Sequence, residues 1–158
     1  MSDKIKLPVT KYQRILNILT FLILAGHILC LLLSWSSIPD KVPTHYDFSG
    51  KADGYGGKGS LLILPVINVI LYAILCLIER YPDTWNVPGP VTPLNQIWIY
   101  TNVKNLLVTL KFLTTGIFCF LTIYSAMGKN LSVWFTPAYL ILILGSMFYF
   151  LRRAKHFH

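Results

Sequence analysis

Charge is scarce in this chain, and acidic charge scarcest of all. Only 13% of its 158 residues are Asp, Glu, Lys or Arg, and just six are acidic. A water-facing surface wants roughly 25–35% charged side chains, so a soluble globular domain is not expected. Hydrophobic residues make up 54% of the chain, which excludes a disordered or collagen-like polymer as well. Cysteine is nearly absent. Cys30, Cys76 and Cys119 each fall inside an apolar run, and none falls in a loop. That placement is neither a disulfide framework nor a zinc site, which needs clustered ligands. Buried structural thiols are expected instead. No internal repeat and no low-complexity stretch occurs.

What the chain has is four long apolar runs. A helix crossing a bilayer needs about 20 mainly apolar residues. The runs cover about 15–38, stopped by Pro39; 61–78, stopped at Glu79-Arg80-Tyr81-Pro82; 106–127, stopped at Gly128; and 133–151, stopped at Arg152-Arg153. Pro137 sits near the start of the last run, where a missing N–H costs least. The first run is longer than the apolar core of a signal peptide and no small-residue cleavage site follows it, so it is expected to be retained. The sequence therefore predicts an all-α integral membrane protein: one four-helix transmembrane bundle over 1–158, with a structured Gly/Pro-rich extracytoplasmic loop. Gly26, Gly116 and Ala126 are candidates for close helix contact, although no GxxxG pair lies in a span.

The net charge of +8 does not point to nucleic acid. Cations sit at the edges of apolar runs, not on a solvated face interleaved with stacking aromatics. They read as orientation signals. With the N-terminus inside, Lys4, Lys6, Lys11, Arg14, Arg80, Lys104, Arg152, Arg153 and Lys155 are inner, whereas Lys41, Lys51, Lys58 and Lys129 are outer. Nine against four predicts a multi-pass cell-membrane protein with both termini cytoplasmic. Trp35, Trp98 and Trp134 fall near the expected interfaces, as aromatic belts do.

The two long connections differ. The outer loop, 39–60, holds five of the ten glycines, together with His45, three Asp and three Lys. The inner connection, 81–104, is Pro-rich at first. Its Thr92-Pro93-Leu94-Asn95-Gln96 string predicts a helix start with Thr92 at the N-cap and Pro93 at N1. The third helix would then begin near Pro93 and protrude by about three turns, at about 1.5 Å per residue.

Chemistry concentrates in the outer loop. His45, Asp47 and Asp53 are the weak candidates for metal ligands or for a metal-dependent or intramembrane enzyme, but their spacing matches no zinc signature. The simpler reading makes Asp47 and Asp53 acceptors for local N–H groups in turns. The third reading is ligand recognition by His45, Asp47, Asp53 and Lys58, held by Pro39, Pro43, Gly50 and Gly54. Gly57-Lys58-Gly59-Ser60 is only a fragment of a phosphate loop, so nucleotide binding is not expected. No catalytic residue set and no cofactor are implied. Within the runs, His27 and Asn68 are expected to be satisfied interhelical hydrogen-bonders, and Lys111 to snorkel toward headgroups.

The string PDKVPTHYDFSGKADGYGGK, 39–58, resembles a bacterial membrane domain of unknown function, DUF1648. Pro39, Pro43, His45, Asp47, Gly50, Asp53, Gly54 and Lys58 fill that domain's loop pattern. Asn86, Pro88, Thr92 and Asn95 look like its Asn-x-Pro…Thr…Asn segment before a long third helix. The same domain forms the first part of immunity proteins against a sporulation-delaying peptide toxin, which carry further C-terminal spans. The resemblance implies two roles: protection against an extracellular antimicrobial peptide, and capture of a cytoplasmic transcriptional regulator at the inner face. The leading expectation is thus a non-enzymatic immunity, resistance or sensor-type protein recognising an extracellular peptide or lipid through the outer loop. An enzyme using the His/Asp cluster and a membrane sensor presenting 81–104 are the alternatives.

Overall fold

The computed structural model describes residues 7–156. Lys4 and Lys6, which entered the count of inner charges, lie outside the described residues. Among the described residues, four helices are long and apolar enough to cross a membrane: α1 (Lys11–Ser34), α2 (Ile63–Arg80), α3 (Gln96–Ala126) and α4 (Phe135–Lys155). These are the helices of a multi-pass membrane protein. They cover the four apolar runs of the sequence, with ends shifted by a few residues and α3 extended by ten at its start.

The helix ends have local causes. At the start of α1, the Thr10 hydroxyl accepts from the Gln13 N–H, and the Gln13 side chain accepts from the Thr10 N–H. Both orphan donors are met by this capping box. α1 then tightens into a 3₁₀ turn, Trp35–Ser37, before Pro39. The start of α3 departs from expectation. A turn over Pro93–Asn95 precedes the helix, so that Asn95 and not Thr92 is the residue before its first turn, and the Thr92 N–H donates to the Asn95 side chain at 2.8 Å.

α3 is the central strut. It packs against α1, α2 and α4, whereas α1 and α2 barely touch. Its buried face alternates apolar groups such as Ile99, Val103 and Val108 with polar ones such as Asn102, Lys111 and Thr115. The buried stripe of α1 is Gln13, Thr20, Leu24, His27 and Leu31. Those positions recur every three, four or seven residues, as one helix face requires. Leu22, Leu29, Leu32 and Leu33 point outward. The bundle is therefore greasy outside and partly polar inside, the arrangement hydrocarbon surroundings favour.

Two expectations about packing fail. A Cβ added at Gly26 or at Gly116 would meet nothing within 4 Å, so neither marks a close helix contact. Cys30 is exposed, and all three thiols are free. The spans cross through polar and β-branched groups instead of through small-residue stripes.

The segment between α1 and α2 adds two short strands to the helical bundle. It folds as an antiparallel hairpin of β1 (Lys41–Tyr46) and β2 (Ala52–Gly57). A 3₁₀ turn, Lys58–Leu62, then leads into α2. Leu31, Ile38, Val42 and Leu61 form an apolar cluster beneath the hairpin, flanked by Trp35 and Ala126. At the opposite end of the bundle, residues 81–95 form a strap. Trp85 fastens it by donating to the Ile78 carbonyl at 2.8 Å and stacking on Tyr100.

Candidate functional site

The hairpin gathers the candidate residues of the first long connection. Asp47 begins the tip. Its carboxylate oxygen accepts from the Ser49 hydroxyl at 2.7 Å, and from the Ser49 and Lys51 N–H groups at 2.9 Å each. The Gly50 N–H then returns to the Asp47 carbonyl at 2.9 Å. Gly50 takes φ +83°, and a Cβ there would lie 2.5 Å from the Leu131 carbonyl oxygen. Only glycine fits this position without strain.

The strand register is irregular. Pro43 faces Tyr55, His45 faces Gly54, and Tyr46 faces Ala52. Thr44 and Asp53 are therefore left without opposite numbers, as β-bulges require. The bulges bring the His45 Nδ1 within 2.5 Å of an Asp53 carboxylate oxygen. The pair lies in the open, with 72% of the His45 side chain and 47% of the Asp53 side chain exposed. Gly54 makes the pair possible, since a Cβ on it would sit 3.0 Å from that of His45. Phe48 at the tip is 95% exposed, and Tyr55 projects into solvent nearby.

An isolated two-stranded hairpin is marginal in water. This one is clamped. The Leu131 N–H donates to the Gly50 carbonyl at 2.7 Å, and the Ala52 N–H donates to the Asn130 side chain at 2.9 Å. Tyr46 reaches the Lys129 carbonyl, and the Ser125 hydroxyl donates to the Pro43 carbonyl. The base closes through the Lys58 N–H and the Asp40 carbonyl at 2.9 Å. Residues of the α3 end and of the α3–α4 connection thus hold a hairpin that lies between α1 and α2.

The structure separates the remaining candidates. Asp47 is engaged by the tip turn and does not converge with His45 and Asp53. Among the described residues no group of three His, Cys, Asp or Glu is placed to hold a metal ion. Lys58 lies back over the Trp35 ring, 5.1 Å from its centre, with its ammonium 3.5 Å from the Ile38 carbonyl. Pro39 follows the 3₁₀ turn, and Pro43 is buried in β1. Asn86, Pro88, Thr92 and Asn95 all lie in the strap at the opposite end. There Asn95 also donates to the Pro90 carbonyl at 3.1 Å, and Asn86 is exposed.

Inside the bundle the expectations are corrected twice. Lys111 does not snorkel. It is 2% exposed and forms an ion pair with Glu79 at 2.6 Å, itself 9% exposed. Asn17 approaches the other Glu79 oxygen, and Lys111 lies over the Tyr72 ring. His27 is no hydrogen-bonder to a neighbouring helix: it is 3% exposed, and neither ring nitrogen has a partner among the described residues. Asn68 does reach across, its amide 3.5 Å from the Thr115 carbonyl. The Gln13 amide likewise meets Asn105 at 2.8 Å. Gln13, Asn17, Glu79, Asn105 and Asn130 carried no motif. For Gln13, Asn17, Glu79 and Asn105 the only signal was a polar residue at a similar expected depth on another span; Asn130, in the α3–α4 connection, gave none.

Residues 21–69 match the DUF1648 family model, a domain of unknown function. The matched segment runs from the middle of α1 through the hairpin to the first turns of α2. An uncharacterized protein of Archaeoglobus fulgidus is 39% identical over 66 residues, covering 37% of this chain and 36% of that one. The chain thus spans about a third of the length of the curated relative it matches. No solved structure matches.

The turn at Asp47 responds to pH in a defined direction. The Ser49 hydroxyl, then the Lys51 amide and the Ser49 amide, hold its carboxyl below the ordinary carboxylate value. A depressed native pKa adds stability above the unfolded value, and that stability is lost as pH falls through the native value. Protection of the Ser49 and Lys51 amides against hydrogen exchange should therefore be full at neutral pH and decline below about pH 4. Asp47→Ala should abolish the protection at every pH. Asp47→Asn, which keeps an acceptor, should flatten the pH dependence.

Proposed function

We propose that the protein is a non-enzymatic binding protein of the cell membrane that recognises an amphipathic, membrane-active peptide arriving from outside. The observation that carries this reading is a clamped hairpin whose exposed groups are unlike a solvated loop. Phe48 and Tyr55 offer aromatic surface, and the His45–Asp53 pair offers a polar centre on the same hairpin. Rigid aromatic anchors beside fixed polar groups suit the two faces of such a peptide. The preponderance of Lys and Arg at the strap end supports an extracytoplasmic hairpin and cytoplasmic termini. The resemblance of 39–58 to the DUF1648 loop pattern, a domain that also forms the first part of the sporulation-delaying toxin immunity proteins, favours a protective role.

A second reading has its own observation. At the strap end Tyr81, Leu94 and Ile97 are exposed, a surface suited to a soluble cytoplasmic regulator. The metal-dependent alternative is disfavoured because Asp47 is held by the turn.

The test compares survival of cells expressing the protein during exposure to membrane-active peptides. His45→Ala, Asp53→Ala and Phe48→Ser, at equal membrane abundance, should each lose most of the protection. Unchanged protection in all three would overturn the reading, whereas loss on deleting 86–92 alone would favour the strap end.

A further inference from the structure

Between α1 and α3, under the hairpin, lies a cavity of about 630 Å³. It runs from Ser37 and Pro39 at the hairpin end down to His27. His27 is seven residues before Ser34, so the cavity reaches about 10 Å below the end of α1. Leu31, Ile38, Ile123 and Met127 supply its apolar walls. Its volume falls within the range of small-molecule sites, which are mostly apolar with a few placed polar groups.

The His27 ring is the unusual member. Polar side chains in a membrane interior are expensive and ordinarily paired. Here both ring nitrogens are buried without a partner among the described residues, and such an orphan calls for an explanation. The other polar groups are weak or committed. The Thr122 hydroxyl donates to the Phe118 carbonyl at 2.8 Å, and Ser34 and Ser37 stand nearer the hairpin end. Among the described residues no Lys, Arg, Asp or Glu lines the cavity, so nothing compensates a charged ligand.

We propose that this cavity binds a compact, neutral, apolar molecule bearing one hydroxyl or phenolic group, held by the His27 imidazole. Both ring nitrogens have almost no accessible surface, so binding turns the ring to bring a nitrogen into the cavity; a neutral imidazole presents one donor and one acceptor, and a hydroxyl can then meet either. A carboxylate or ammonium in the same place would be a buried, unpaired charge. The ligand enters from the bilayer or the hairpin end. Its binding is independent of what the hairpin recognises.

The experiment uses the full chain in lipid nanodiscs with nitrogen-15-labelled histidine. The probes are thymol, p-cymene and cuminate, which share an isopropyl-substituted ring and differ in carrying a phenol, nothing polar, or a carboxylate. Thymol should shift the His27 ring-nitrogen resonances saturably, and should bind at least about fivefold more tightly than p-cymene, the value of about one hydrogen bond. Cuminate should not compete at neutral pH. His27→Leu should abolish the preference for thymol, and Ser37→Phe, a change at the exposed rim, should weaken thymol and p-cymene alike. The proposal is overturned if thymol leaves the His27 nitrogens unmoved, if p-cymene or cuminate binds as well as thymol, or if Ser37→Phe changes nothing. Should His27→Leu fail to fold, the probe comparison and Ser37→Phe decide the matter without it.

Discussion

Glu79→Ala should be the most damaging single substitution in the bundle, lowering stability by about 3–5 kcal/mol. The reason lies in what remains. Lys111 would keep its ammonium 2% exposed between α2 and α3, with only the Cys76 sulfur at 3.4 Å and the Tyr72 ring nearby. An ion pair at this depth gains strongly from low dielectric, but the larger effect is the penalty of an unpaired buried charge. The double variant Glu79→Leu/Lys111→Met should therefore recover most of the loss. Reversible unfolding in mixed detergent micelles measures all three variants. A single substitution no worse than the double would show that the pair is dispensable.

The second large effect is expected at Gly50. Gly50→Ala places a methyl in a left-handed backbone conformation and against the Leu131 carbonyl. The conformational term is about 1–2 kcal/mol, and the clash adds to it because the obstruction is backbone, not a side chain that can rotate away. A total of about 3 kcal/mol, typical of strain at a special backbone position, is expected. The damage should be local. Protease sensitivity and amide exchange should rise across 41–57 and 129–131 together, while the four helices stay formed. Gly57→Ala serves as the control, since a Cβ there meets nothing within 4 Å.

The spans were legible because lipid imposes them. A backbone in hydrocarbon has few alternatives to a helix of fixed minimum length, so Pro39, Gly128 and Arg152-Arg153 sufficed to bracket them. The hairpin was not legible as strands. β1 contains Pro43, and β2 reads Ala-Asp-Gly-Tyr-Gly-Gly, a composition depleted in strand formers. Those residues are extended because the Asp47 turn reverses the chain and Asn130 and Leu131 supply partners, and neither cause is local to a strand. The Asp47 role followed from residue type, since Asp at a turn bonds its own backbone. The His45–Asp53 contact did not, because it depends on two bulges. Lys111 and Glu79 are far apart in the chain and meet only when α2 and α3 run antiparallel in a particular register. For His27 the expectation of a bonded partner came from general practice in membranes. The adjacent faces of α1 and α3 offer it none among the described residues.

The clamp on the hairpin has a consequence for biogenesis. Asn130 and Lys129 lie 78 and 83 positions beyond the residues they hold. A ribosome-bound chain that has inserted only its first two spans cannot yet close its surface lid. Completion waits for the third span to cross and for the turn after it to emerge on the correct side. The lid is thus a built-in report that the second half of the molecule has threaded properly.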